Sequence, residues 1–276
     1  MGSGIAQALA QSGFYTHLYE LDPVVLENAR TRIDHSLEEL TKKGKLPPGE
    51  KEKIARLIRF TGDIQSCLAD VFIEAIVEKP ELKVDLFNQL AGINHSECIF
   101  ASNTSSLSVT AIAKKIKNPE RVIGMHFFNP ATIMKLVEVV NTTYTNAVTT
   151  ATIIELAEKM GKTPVTCKDS PGFIVNRVAR PYYIESLRLA EEANVDLHSG
   201  QTVFTQIDAL MEATGFKMGP FKLMDLIGND VNYAVSCSVY EQLKKPERLR
   251  PSAIQEEKVK EGKLGRKSGE GYYPYR

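Results

Sequence analysis

The densest set of reactive side chains lies in RVIGMHFFNPATIMKLVEVVN, residues 121–141. It offers an imidazole, His126, and a carboxylate, Glu138, on two β-type runs that flank a loop centred near Ala131. Antiparallel pairing about that loop sets the two side chains opposite each other, within reach. A carboxylate beside an imidazole fixes the ring tautomer and stabilises imidazolium, which is the arrangement of an oriented general base. A cross-strand polar pair can also exist without chemistry, so its surroundings decide. His126 ends a strand at the edge where open α/β sheets bind ligands. Polar residues crowd equivalent strand ends: Ser102, Asn103, Thr104 and Ser105 after CIFA, and Asn129 after HFF.

A second constellation opens the chain, in MGSGIAQALAQSGFYTHLYELD. Gly2 and Gly4 lead into an amphipathic run, Ile5, Ala8 and Leu9. Glycine at a helix start lets a pyrophosphate approach backbone N–H groups at the positive end of the helix dipole. In dinucleotide-binding folds an acid ends the second strand and bonds the adenosine ribose; Glu20 stands at that place. Its charge repels a 2′-phosphate, so NAD is expected over NADP. Against the pattern G-x-G-x-x-G, Gly2 takes the place of the third glycine. The first two glycines and the strand before them are missing. That strand is central in a doubly wound sheet, and without it backbone groups on both neighbours lose their partners. The chain as given is therefore expected to start late.

The elements that must position these groups alternate. β-type runs are read at 15–20, 58–61, 71–78, 98–104, 121–128, 135–140 and 164–169. Helical runs separate most of them, notably one opened by Asp22-Pro23 and carried by Leu26, Ala29, Ile33, Leu37 and Leu40. From Ser170 onward only helices are expected, at about 172–193, 203–213, 220–243 and 252–261. The expected class is α/β: a Rossmann-type, doubly wound, mostly parallel sheet lacking its first strand, over residues 1–168, then an all-helical domain over 169–276.

The bulk composition excludes several functions. Of 276 residues, 43% are hydrophobic and 25% charged, as in ordinary globular proteins. Lys and Arg balance Asp and Glu at 34 each, so nothing electrostatic calls for nucleic acid or an acidic membrane surface as partner. Four scattered cysteines, Cys67, Cys98, Cys167 and Cys237, form no metal-binding or disulfide pattern and suit reduced thiols in a cytoplasmic protein. No signal peptide and no membrane span are expected. Phe221, Leu223, Met224, Leu226 and Ile227 are more apolar than one helix contact requires, and homodimerisation through the helical domain is expected.

The strings SNTSS (102–106), HFFNP (126–130), KLVEVV (135–140), SPGFIVNR (170–177), MGPF (218–221) and GRKSGEGYY (265–273) resemble those of L-3-hydroxyacyl-CoA dehydrogenases. This group includes 3-hydroxybutyryl-CoA dehydrogenases and related phenylacetate-pathway enzymes. The resemblance covers essentially the whole chain and implies NAD-dependent oxidation of (S)-3-hydroxyacyl-CoA, as in fatty acid β-oxidation. It implies His126 as base with Glu138 as its partner, Ser105 between cofactor and substrate, and Asn176 holding substrate. Glu20, Glu78, Lys83, Asn129 and Lys267 would contact the cofactor, and Ser36 and Lys43 coenzyme A. No metal is implied. Two other functions fit the same residues: an oxidoreductase for free hydroxy acids, and a non-catalytic binding protein on this scaffold.

Overall fold

The computed structural model describes residues 1–193 and 201–275, the side chains of 201 and 202 apart. The chain divides into two compact units, Met1–Ser170 and Pro171–Arg276.

The first unit alternates strands with helices. α1 (Gly2–Gln11) leads to β1 (Thr16–Tyr19), α2 (Pro23–Lys42), α3 (Glu50–Arg56) and β2 (Ile58–Thr61). Then come β3 (Val71–Glu74), α4 (Pro80–Ile93), β4 (Ile99–Ser102), α5 (Val109–Ala113), β5 (Val122–Phe127), β6 (Leu136–Asn141), α6 (Ala147–Lys159) and β7 (Thr163–Lys168). β1 and β2 form a parallel pair; β3-β4-β5-β6-β7 form a five-stranded sheet, parallel except for the β5–β6 pair. Among the described residues no ladder joins β1 to β3. β4 and β5 are buried along their whole length, as expected for strands covered by helices on both faces.

Local chemistry explains the starts of these helices. The Asp22 carboxylate accepts from Val24 N at 2.8 Å and Val25 N at 3.3 Å, while Pro23 takes the first helical position, where its missing N–H costs nothing. α1 is apolar on two sides and uses both. Ile5 and Ala8 pack with Ile99, Ala101, Ile123, Met125, Val137 and Val139 of the larger sheet. Ala6 and Ala10 pack with Leu18, Ile33, Leu37, Ile54 and Ile58. One helix thus ties the two ladders together.

The second unit contains α7 (Val175–Glu192), α8 (Gln201–Ala213), α9 (Pro220–Ile227), α10 (Asn229–Gln242) and α11 (Ala253–Lys260). The single helix expected over 220–243 is two, because Gly228 adopts φ 102° and ψ 124°, outside the helical region. Phe221 and Met224 are fully buried with Tyr183, Leu187, Phe204, Ile254 and Tyr272. Much of the apolar run at 221–227 therefore serves this unit's own core, whereas Leu226 and Ile227 remain 48% and 40% exposed. The buried Asp225 carboxylate, held above the ordinary carboxylate range by burial, accepts from Tyr272 N and Tyr273 N, both at 3.0 Å. It thereby folds the aromatic tail onto α9.

Gly124 faces Val140 across the β5–β6 ladder, and a Cβ added there would lie 2.7 Å from the Val140 Cβ. Gly124→Ala is expected to lower unfolding stability by about 1–3 kcal/mol through overpacking, read as a fall in the urea midpoint at unchanged slope.

Candidate active site

His126 and Glu138, the expected base and its partner, come from the antiparallel pair in the larger sheet. β5 and β6 align Gly124 with Val140, His126 with Glu138 and Phe127 with Val137. His126 Nδ1 lies 2.7 Å from Glu138 Oε2, with side-chain exposures of 8% and 1%. The cross-strand placement read from the sequence is the one observed. The carboxylate thus engages Nδ1 and orients the imidazole ring. The His126 ring also meets Phe128, centroids 4.7 Å apart. Cys167, on neighbouring β7, is pushed up to about 12 by burial and then by the Glu138 and Asp169 charges, so it stays a thiol at neutral pH. Burial raises Cys67, Cys98 and Cys237 as well. None of the four is set up as a nucleophile.

The serine loop after β4 is bolted to the sheet by charge. Glu78 Oε1 accepts from Thr104 Oγ1 at 2.8 Å and from Ser105 N at 3.0 Å. The Ser105 and Ser106 hydroxyls donate to the same oxygen at 3.5 Å. Glu78 Oε2 faces Lys83 Nζ at 3.2 Å. Lys83 in turn donates to both Glu74 oxygens, at 2.9 and 2.7 Å, and Ser102 Oγ donates to Glu74 Oε1. Lys83 was expected to touch the cofactor directly. Its side chain is 1% exposed, so it is an internal group that acts through Glu78, which is 41% exposed.

Glu74 and Lys162 escaped sequence reasoning here, and Asn103, noted only as a polar strand-end residue, was given no role. Glu74 looked like one more strand residue in VFIEAIVE. Asn103 accepts from Phe127 N at 2.8 Å through its side-chain oxygen, a tertiary contact with no local signature. Lys162 donates to Ala131 O at 2.5 Å and Met134 O at 2.9 Å, bracing the loop between β5 and β6. Burial holds its ammonium below the ordinary lysine value.

The nucleotide-side residues are placed as follows. The amino end of α1 has no acidic residue and no side-chain cap. A Cβ at Gly2 would meet only Ala75, at 3.9 Å, just after β3; one at Gly4 would meet Ala131, at 3.5 Å, in the loop after β5. That helix end therefore opens at the sheet edge carrying His126 and Glu78. Glu20 follows β1, its carboxylate accepting from Asp22 N at 3.2 Å. Asn129 is exposed beside Pro130. A dinucleotide fits this set: a helix amino end with glycines at positions 2 and 4 and no acidic residue in its first turn, an acid at the neighbouring strand end, and polar groups along the edge.

The remaining expected residues have the following partners. Ser36 Oγ accepts from Gln7 Nε2 at 2.9 Å. Lys43 is exposed and pairs with Glu39 at 3.2 Å. Asn176 and Lys267 belong to the second unit: Asn176 O accepts from Arg180 Nε at 2.9 Å, and Lys267 binds both oxygens of Asp230 at 2.6 and 2.7 Å. Among the described residues no group of three or more His, Cys, Asp or Glu side chains could hold a metal ion.

Residues 1–170 match the family model described as 3-hydroxyacyl-CoA dehydrogenase, NAD binding domain, and residues 172–275 that described as 3-hydroxyacyl-CoA dehydrogenase, C-terminal domain. The chain belongs to the 3-hydroxyacyl-CoA dehydrogenase family. It is 45% identical to a 3-hydroxyadipyl-CoA dehydrogenase of Escherichia coli K12, over all of this chain and 57% of that protein. It thus spans little more than half the length of that relative. It is 40% identical to a probable 3-hydroxybutyryl-CoA dehydrogenase of Deinococcus radiodurans, over all of this chain and 96% of the other. The crystal structure of an (S)-3-hydroxybutyryl-CoA dehydrogenase from Ralstonia eutropha superposes with a TM-score of 0.93 at 35% identity, covering all of this chain and 95% of that one. The Rossmann-like, mostly parallel architecture followed by helices is the fold of this dehydrogenase family.

Lys83→Met is expected to destabilise the protein by about 3–5 kcal/mol, because it strands the buried Glu74 charge. Removing both charges, in Glu74→Leu/Lys83→Met, is expected to recover part of that loss in the same denaturation experiment.

Proposed function

We propose that this chain catalyses the reversible NAD-dependent oxidation of an (S)-3-hydroxyacyl-CoA thioester to the 3-oxoacyl-CoA. The observation that carries this is the buried His126–Glu138 pair at 2.7 Å, standing at the sheet edge onto which the N-terminus of α1 opens. The α1 end beginning at Gly2 would hold the pyrophosphate and Glu20 the adenosine ribose. Glu78 and Asn129 would flank the nicotinamide half. When bound, NAD supplies the acceptor for the hydride that leaves C3. His126 Nε2 takes the proton of the 3-hydroxyl, and Glu138 stabilises the resulting imidazolium through Nδ1–H. Ser105, held by Glu78, would bond the substrate oxygen. Ser36 and Lys43 as coenzyme A contacts, and Asn176 and Lys267, enter through the family resemblance.

The same proposal includes a homodimer formed through the second unit, where Val178, Leu226, Ile227 and Val231 are exposed apolar side chains. It also includes a reducing, cytoplasmic setting, to which four free cysteines are suited. No helix among the described residues is long and apolar enough to cross a membrane.

With NADH, the protein is expected to reduce acetoacetyl-CoA and to leave free acetoacetate essentially untouched; the reverse preference would favour a free hydroxy-acid enzyme, and no turnover of either a binding protein. His126→Ala is expected to lower kcat by about 10²–10⁴-fold while NADH binding, read by fluorescence titration, stays close to wild type. Glu138→Gln should lower kcat less. A His126→Ala variant that keeps most of its turnover removes the histidine from this role. Light scattering on the eluting peak should report two chains per particle; a single chain refutes the dimer.

A further inference from the structure

We propose that Asn103 is a positioning residue that fixes the strand end carrying His126 against the serine loop carrying Ser105. This rests on the assignment of His126 and Ser105 made above. The β4–β5 ladder pairs Phe100 with Val122, Ala101 with Ile123 and Ser102 with Gly124, and stops there. β5 runs on for three more residues, to Phe127. Beyond Ser102 the main chain bonds toward β3 instead: Asn103 N donates to Glu74 O at 2.9 Å. The side of β5 that faces β4 would therefore lose its hydrogen-bond partner at the residue after His126.

Asn103 supplies it. Its Oδ1 accepts from Phe127 N at 2.8 Å, so a side-chain amide oxygen stands in for a ladder carbonyl. The residue thus holds β3 with its backbone and β5 with its side chain. The two residues that follow it, Thr104 and Ser105, are bonded to Glu78. His126 is gripped from β6 by Glu138 and, through the next peptide, from β4 by Asn103. Serine is too short for this span and leucine lacks the acceptor. Aspartate keeps an acceptor oxygen in the same place.

The test compares Asn103→Leu, of similar size without the acceptor, with Asn103→Asp, which retains it; Asn103→Ala replaces Asn103→Leu should the latter fail to fold. Asn103→Leu is expected to lower kcat for acetoacetyl-CoA reduction by about 10–100-fold, the cost of a small misplacement of catalytic groups. Its KM for NADH should stay within about twofold of wild type, and Asn103→Asp should return kcat to within about fivefold. The Phe127 amide should exchange about tenfold faster or more in Asn103→Leu, and regain protection in Asn103→Asp. A folded Asn103→Leu or Asn103→Ala with wild-type kcat overturns the inference, as does an Asp variant no better than Leu. Should the wild-type protein itself not turn over acetoacetyl-CoA, the enzymatic proposal fails. The Phe127 exchange then decides this inference alone, unchanged protection sinking it.

Discussion

Everything at the candidate site depends on one reversal of direction in the larger sheet. Parallel neighbours need a crossover of a dozen or more residues, which carries the chain over a face of the sheet and back to the opposite edge. Between β5 and β6 the chain has only residues 128–135, too few for that, so β6 returns alongside β5. That return is what puts Glu138 beside His126 rather than at the far end of the sheet. Both are buried among apolar strands, where a carboxylate facing an imidazole N–H at 2.7 Å interacts far more strongly than it would in water. The carboxylate also fixes how the ring is turned, because it engages Nδ1.

The rest of the edge is held by a different device. Lys83 is a buried cation that donates to both oxygens of Glu74 and reaches one oxygen of Glu78. Burying charge is expensive unless it is paired and hydrogen-bonded. Here every oxygen has a partner: Glu74 also receives Ser102 Oγ and Ile76 N, and Glu78 receives the loop. The result is a chain of contacts from the sheet interior to Ser105. Asn103 and Lys162 add neutral and cationic donor–acceptor ties to the two loops on either side of His126. A constellation drawn from three strand ends is rigid because each loop is tied to a neighbour by a side chain, where main-chain pairing has run out.

α1 connects this edge to the other ladder. Its alanines allow close approach on both sides, so one short helix packs on β4–β6 with Ile5 and Ala8 and on β1–β2 with Ala6 and Ala10. The helix's amino end is thereby held at the sheet edge where a dinucleotide phosphate would meet its N–H groups.

Much of this was written in residue order. Alternating apolar runs, the Asp22-Pro23 start and the short 128–135 connection specify strands, a helix start and an antiparallel return, because each depends on neighbours in sequence; the His126–Glu138 register follows from the same local counting. The long motifs SNTSS and HFFNP likewise directed attention to two strand ends. Other features could not be read that way. Gly228 looks like any glycine in a helical run, and only its folded backbone, with φ 102° and ψ 124°, shows that the helix breaks there. Lys83, expected at the cofactor, is a buried partner of Glu74, on another element, which accounts for its charge. Asn103 reads as one polar strand-end residue among several until Phe127 arrives beside it. For Lys83 and Asn103 the decisive partner is distant in sequence, and which partners meet is determined by the energy of closing the whole sheet and core, a quantity no short window of residues contains.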